Sequence, residues 1–224
     1  MKERQKLING ESISEPNMQY DVVFFDFDGT LVDSAAVKRQ AFFDLFPDTE
    51  GHTKVVQMVL EADPDGSRYL VIPRMVEEMR RIDIMVPEDG NSDRLTQQYA
   101  RNVLHAVCRA TEMPGAKHLL ETLHSKNTSL YLCSNTPHEA IVPLVKAKHW
   151  DGYFQDIVGY PTVKDDFVRR TIERNGVPVE RVAYIGDGIS DRKAAASSGI
   201  KFYCIRDRND LIRIGSEMEG VVNL

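Results

Sequence analysis

The sequence predicts an α/β fold, a doubly wound parallel sheet with a helical block inserted into it, and three observations predict it. A run of four apolar β-formers, Val22 to Phe25, stops abruptly on Asp26 and Asp28, as a strand buried on both faces of a parallel sheet does. From Met113 onward strand-like and helix-like segments alternate, which argues for right-handed βαβ crossovers. Between Ala36 and Ala110, by contrast, apolar residues recur only at helical spacing. The expected organisation is an N-terminal extension over residues 1–20, an α/β core built from 21–35 and 111–224, and a helical cap over 36–110.

Each element follows from its own pattern. After the first strand, Val37, Ala41, Phe42, Leu45 and Phe46 predict a helix behind an Asp33-Ser34 N-cap pair, ended by Pro47 and Gly51. Val55, Val56, Val59 and Leu60 predict a second, closed by Asp63-Pro64-Asp65-Gly66. Pro73 reads as the first-turn proline of a third helix carrying Met75, Val76 and Met79. Leu95, Tyr99, Val103, Ala106 and Val107 give a longer fourth. Beyond it, Leu119, Leu120 and Leu123 mark a short helix, and Thr128 to Cys133 a strand ending on Ser134-Asn135-Thr136-Pro137. A helix with Ile141, Leu144 and Val145 leads to a partly buried strand from Phe154 to Tyr160. Lys164 opens a helix through Val168 and Ile172 to Asn175-Gly176. Val182 to Ile185 is a clean strand running into Gly186-Asp187-Gly188-Ile189-Ser190-Asp191. An alanine-rich helix, Ala194 to Ala196, and a last strand, Phe202 to Ile205, complete the pattern.

Composition limits the function classes. With 224 residues, 42% hydrophobic and 28% charged, the chain can bury a sizeable core. A net charge of -6 and the absence of a basic block argue against nucleic acid. No apolar run is long enough to span a bilayer, and Met1 to Tyr20 has no signal-peptide core. Cys108, Cys133 and Cys204 are odd in number and far apart, so buried reduced thiols in a cytoplasmic protein are expected rather than a disulfide framework. The six histidines show no metal-ligand spacing. Oligomeric state leaves no signal.

Four strand ends carry polar residues: Asp26 with Asp28, Ser134 with Asn135, Lys164 just past a strand, and Asp187 with Asp191. In a doubly wound sheet such ends meet in one crevice. Asp26 and Asp28, two apart in extended chain, point to the same side. Two carboxylates facing one pocket repel, and need a cation or a shared proton to coexist. Singly, each motif has an ordinary account: Asp28-Gly29 and Gly186-Asp187-Gly188 as turns, Ser134-Asn135 as a strand stop, Lys164 as a surface lysine. Their joint occurrence, in order, is what points to a site.

In order and type these motifs resemble the haloacid dehalogenase superfamily, in particular its Mg2+-dependent phosphatases. Asp26-Phe27-Asp28-Gly29-Thr30 with Leu31-Val32-Asp33-Ser34 is most similar to the phosphoglycolate-phosphatase-like group, and the helical block to that family's cap on a Rossmann-like core. One departure is that Asp165-Asp166 follows Lys164 where many relatives have a proline. The residues support the same chemistry on their own terms. Asp26 can attack phosphorus and form an aspartyl-phosphate. Asp28 can protonate the leaving oxygen and later take a proton from water. Ser134, Lys164, backbone N–H groups and a hard cation can neutralise phosphoryl oxygens. The resemblance implies Mg2+ held by Asp26, the Asp28 backbone carbonyl and Asp187, with Asp191 as a ligand or close beside one. Gly29, Thr30 and Asn135 are expected to contact the substrate. So is Lys38, one helical turn past Ser34, ahead of Arg68, Arg74 and Arg101.

The expected activity is hydrolysis of a small soluble phosphomonoester, of phosphoglycolate or sugar-phosphate type. A phosphosugar mutase of the beta-phosphoglucomutase type uses the same two aspartates and a similar cap, and a non-catalytic phosphate-binding module is the remaining alternative. Asp28 argues against a dehalogenase or a phosphonate hydrolase.

Overall fold

The strand that begins the pattern is the centre of the sheet. In a computed structural model describing residues 20–64 and 66–220, β1 (Val22–Phe25) lies between β2 (Ser129–Pro137) and β4 (Val182–Gly186). β3 (Phe154–Tyr160) and β5 (Lys201–Cys204) are the edges, in the order β3-β2-β1-β4-β5, and every pairing is parallel. Alternation along the central strands divides two apolar layers. Val23, Phe25, Leu130, Leu132, Ala183 and Ile185 face one cluster, and Val22, Phe24, Tyr131, Val182 and Tyr184 the other. On the second face Phe24 stacks between Tyr131 and Tyr184, with ring centroids 5.4 and 5.9 Å away. Helices cover both faces, which is the doubly wound arrangement.

Between β1 and the return to the core near Thr111 the described residues form four α-helices: α1 (Ala35–Phe43), α2 (Glu50–Ala62), α3 (Arg68–Arg81) and α4 (Ser92–Arg109). Their apolar faces, including Val56, Val59, Ile72, Met75, Leu95 and Val103, join the larger cluster, so the insert packs continuously with one face of the sheet. The chain leaves and re-enters the core through a paired stem. Asp33 N–H donates to Thr111 O at 2.9 Å, Met113 N–H to Leu31 O at 2.9 Å, and Val32 bridges Glu112 antiparallel. The remaining helices are α5 (Ala116–Ser125), α6 (His138–Ala147), α7 (Lys164–Asn175), α8 (Ile189–Ser198) and α9 (Asp210–Glu219).

Several expectations need correction. Pro73 is not in the first turn; it lies inside α3, exposed, because the buried stripe Val71, Ile72, Met75, Val76, Met79 runs across it. Gly51 opens α2 instead of ending the helix before it. β2 continues through Ser134, Asn135 and Thr136 to Pro137, with a register shift against β3 between Cys133 and Pro137. The last strand starts at Lys201 and stops at Cys204, and α9 was not anticipated at all. Of the thiols, Cys133 is buried, Cys204 half-buried and Cys108 exposed. Residues 1–19 of the expected extension, and Asp65 of the expected loop, lie outside the described residues, whereas Tyr20 is a buried core residue whose hydroxyl sits 3.0 Å from that of Tyr203. Among the described residues no helix is long and apolar enough to cross a membrane.

Candidate active site

β1 delivers Asp26 to the carboxyl edge of the sheet while still pairing, with Asp26 N–H donating to Ile185 O at 3.0 Å. The residue is 5% exposed. Lys164, the first residue of α7, reaches in from beyond β3 and donates to Asp26 Oδ1 at 2.9 Å and to Asp191 Oδ1 at 2.6 Å. Asp191 belongs to the first turn of α8, which β4 positions, and its Oδ2 accepts from Gly188 N–H at 3.0 Å. Asp187 stands at the mouth, exposed, and one oxygen from each of Asp26, Asp187 and Asp191 lies within 4.8 Å of the others. Gly29 has φ +75 and faces Asp187 so closely that a Cβ there would strike its carboxylate. Glycine is thus required both for the turn and for the approach.

The electrostatics follow from the crowding. Burial raises the Asp26 pKa well above the usual carboxylate range, Lys164 opposes this, and the charges of Asp191, Asp187 and Asp28 add to it. For Lys164 burial favours the neutral amine, but Asp26 and Asp191 outweigh it and keep the ammonium charged. Three buried or crowded carboxylates against one ammonium leave excess negative charge with oxygen donors only. That donor set fits a hard divalent cation such as Mg2+.

Asp28 sits in a different environment. Its Oδ1 accepts from Ser34 Oγ at 2.6 Å, and its Oδ2 from Lys38 Nζ at 2.5 Å and Thr136 Oγ1 at 2.7 Å. Burial would raise its pKa, but the Lys38 charge and these three donors more than offset that and hold it below the usual value. Ser34 makes no side-chain cap on α1, because its hydroxyl is turned to Asp28. Thr136 was missed by sequence reasoning, which saw Ser-Asn-Thr-Pro as turn chemistry; a hydroxyl just past a strand-end serine was the available signal.

Ser134 is buried and accepts from Thr136 N–H at 3.1 Å, and Asn135 donates to Ser190 Oγ at 3.1 Å. Asp26, Asp28, Lys38, Ser134, Asn135, Lys164, Asp187 and Asp191 all line one cavity of about 690 Å³. Gly29 and Thr30, expected to touch substrate, do not line it, and Thr30 is fully buried with Oγ1 unpartnered. Lys38 lines it, but its ammonium already bonds Asp28 and Thr136 Oγ1, the latter at 2.6 Å. The insert supplies the opposite lining through Phe42, Ser67, Arg68, Thr96 and Tyr99. Within the same lining Tyr69 of α3 donates to Glu139 of α6 at 2.8 Å. Of the other arginines considered, Arg74 pairs with Asp63 at 3.2 Å, and neither it nor Arg101 reaches the cavity.

Comparison with known proteins gives a consistent result. The family model for haloacid dehalogenase-like hydrolases matches residues 20–199. The phosphoglycolate phosphatase of Pseudomonas fluorescens (strain Pf0-1) is 26% identical over 199 residues, covering 80% of this chain and 67% of its own. Among solved structures, a predicted phosphoglycolate phosphatase from Haemophilus somnus 129PT superimposes with a TM-score of 0.65 at 21% identity, covering 82% of this chain and 84% of its own. A Thermotoga maritima protein described as a beta-phosphoglucomutase gives 0.63 at 20% identity, covering 90% and 96%. At these identities the structural likenesses establish the fold.

Proposed function

The chain belongs to the haloacid dehalogenase-like hydrolases, and from that premise we propose that it is a divalent-cation-dependent phosphatase that hydrolyses a small phosphomonoester through an aspartyl-phosphate on Asp26. The observation that carries the reading is the pairing of unlike carboxylates at the end of β1: Asp26 among acids and Lys164, Asp28 among donors. An Asp26 carboxylate oxygen forms a bond to phosphorus as the ester oxygen departs, and Asp28 delivers the proton that oxygen needs. Water then attacks phosphorus, Asp28 takes its proton, and the bond to Asp26 breaks to release inorganic phosphate. In this reading Lys164 and Ser134 neutralise the phosphoryl oxygens, supported by their place beside Asp26 in the cavity lining. Mg2+, held by Asp26, Asp187 and Asp191 with the Asp28 backbone carbonyl, would supply the positive charge against which those oxygens are stabilised.

The three donors around Asp28 favour its ionised form, the one suited to accepting the proton of water. Acting first as the acid requires the Lys38 contact to loosen when substrate enters and Asp28 to take up a proton, from solvent or from the substrate's monoanion, which it then passes to the leaving oxygen. In this reading residues 36–110 serve as a cap over the cavity, and the paired stem that joins Leu31–Asp33 to Thr111–Met113 supports it. The test is phosphate release from a panel of phosphometabolites with Mg2+, by wild type and by Asp26→Asn. Release by wild type and its loss in a folded Asp26→Asn protein are expected. Turnover retained in Asp26→Asn sinks the assignment, and transfer to a second hydroxyl without free phosphate identifies a mutase instead.

A further inference from the structure

The cavity has a second polar end that phosphoryl transfer leaves unused. It lies where α3 begins. Arg68 lines the cavity at 7% exposure, its Nε is buried without a hydrogen-bond partner, and no carboxylate among the described residues pairs with it. Three other arginines of the insert are paired, Arg74 with Asp63 at 3.2 Å, Arg81 with Glu78 at 2.7 Å and Arg94 with Glu88 at 3.6 Å. Those without a carboxylate partner among the described residues, Arg39, Arg80, Arg101 and Arg109, are exposed, unlike Arg68. The Arg68 guanidinium is held between two rings instead, 5.6 Å from the centroid of Tyr69 and 5.7 Å from that of Tyr99. Ring faces hold a cation in place without neutralising it.

Its neighbours are unsatisfied as well. Ser67, 8% exposed, also lines the cavity; its Oγ is buried without a partner and makes no cap on α3. The first backbone bonds onto Ser67 O come from Leu70 and Val71, leaving the Arg68 and Tyr69 amides without an acceptor among the described residues. A buried guanidinium, a buried hydroxyl and helix amides without a partner among the described residues are all donors at the start of one 14-residue helix. Buried donors are ordinarily satisfied, and an anion supplied from outside would complete this set.

We propose that this is the subsite for a second anionic group on the substrate, with Arg68 as its specificity-determining residue. The proposal rests on the phosphatase reading and narrows it to phosphomonoesters carrying another carboxylate or phosphate. A planar guanidinium pairs with either through two parallel bonds. The apolar residues sharing the cavity, Phe42, Val103 and Leu144, suit the carbon body that joins the two charges.

The experiment measures kcat/KM with Mg2+ on two matched pairs: 2-phosphoglycolate against its methyl ester, and a hexose 1,6-bisphosphate against the hexose 6-phosphate. Wild type should prefer the doubly charged member of at least one pair by about 30-fold or more, and the pair that shows it distinguishes carboxylate from phosphate. Arg68→Met should cut that preference at least about tenfold, the loss falling on the doubly charged member, and Arg68→Lys should restore part of it. Absence of preference in both pairs, or its persistence in folded Arg68→Met, overturns the proposal. If Arg68→Met does not fold, Arg68→Lys and Ser67→Ala decide, and an unchanged preference in both refutes it. Turnover of 4-nitrophenyl phosphate by wild type reports separately on the phosphatase reading. Should nothing be hydrolysed, that reading fails, and calorimetric binding of the same pairs to Asp26→Asn protein judges the subsite by the same preference and the same loss.

Discussion

Replacing Lys164 by methionine tests the electrostatic account of the site through stability alone. The Lys164 side chain is 3% exposed and bonds two carboxylates whose own exposures are 8% and 1%. Methionine keeps the length and removes the charge, leaving Asp26 and Asp191 buried without a counter-ion. Removing one partner of a buried pair costs about 3–5 kcal/mol. For a domain of this size that corresponds to a fall in Tm of roughly 6–20 °C. A carboxyl whose folded pKa lies above its unfolded value takes up a proton on folding. Its charged form therefore weighs against the fold at pH above the folded pKa, and the penalty recedes as pH falls towards the ordinary carboxylate range. Asp26 is such a group, and loss of Lys164 raises it further. The gap between variant and wild type should thus be widest near pH 7.5 and narrow towards pH 5. Thermal and urea unfolding followed by circular dichroism, in chelator, reads it directly. Two controls sharpen the result: Mg2+ should stabilise the variant more than wild type, and adding Asp191→Asn should recover part of the loss. A variant within about 1 kcal/mol of wild type at pH 7.5 in chelator would refute the view that Lys164 neutralises these acids.

Three further outcomes are expected. Asp187→Ala should raise the Mg2+ concentration for half-maximal activity by about tenfold or more while moving substrate KM less, read from metal titrations of initial rate; full wild-type activity in excess chelator would remove the cation from the mechanism. A thiol-reactive probe at pH 8 should modify exposed Cys108 rapidly and Cys133 only on unfolding, since burial pushes the Cys133 thiol up to about 12; mass spectrometry of timed samples locates the label. Gly159→Ala should destabilise the fold by about 1–3 kcal/mol, because the added Cβ would run into the backbone at Thr136 and His138. The same substitution should lower kcat, since it displaces the end of β2 that carries Ser134 and Thr136.

The core was legible in the sequence because its strands carry their own signal. Val22 to Phe25, Val182 to Ile185 and the alternation between them state a buried parallel sheet without reference to partners. What the sequence could not show are choices between equivalent local uses of one side chain. Ser34 stands where an N-cap would stand, and only the fold turns its hydroxyl onto Asp28. Lys38 was expected to read an anion, and spacing gave no sign that β2 brings Thr136 across to share it with Asp28. Arg68 was one of four cations proposed for the insert, and neither its burial nor its missing partner is encoded in spacing. Pro73 misled because a proline rule was applied before the stripe running through it, and α9 was overlooked because Asp207 to Arg213 is dense in charge.

The placing of β1 has a consequence for how the chain is made. Val22 pairs with Ser129 on one side and with Val182 on the other. Synthesis therefore releases the central strand well before either neighbour, with about 150 residues separating it from the second. Contacts so distant in sequence close slowly, because loop entropy must be overcome before they form. The helices of the insert meet one another through nearer contacts and can assemble while the strand waits. In that interval Val22-Val23-Phe24-Phe25 is a bare, uncharged β-forming segment, open to association with other chains. The two acids that follow it, Asp26 and Asp28, are charged in the unfolded chain and stand beside that segment as its gatekeepers. Residues proposed for chemistry in the finished molecule would guard the nascent one against aggregation.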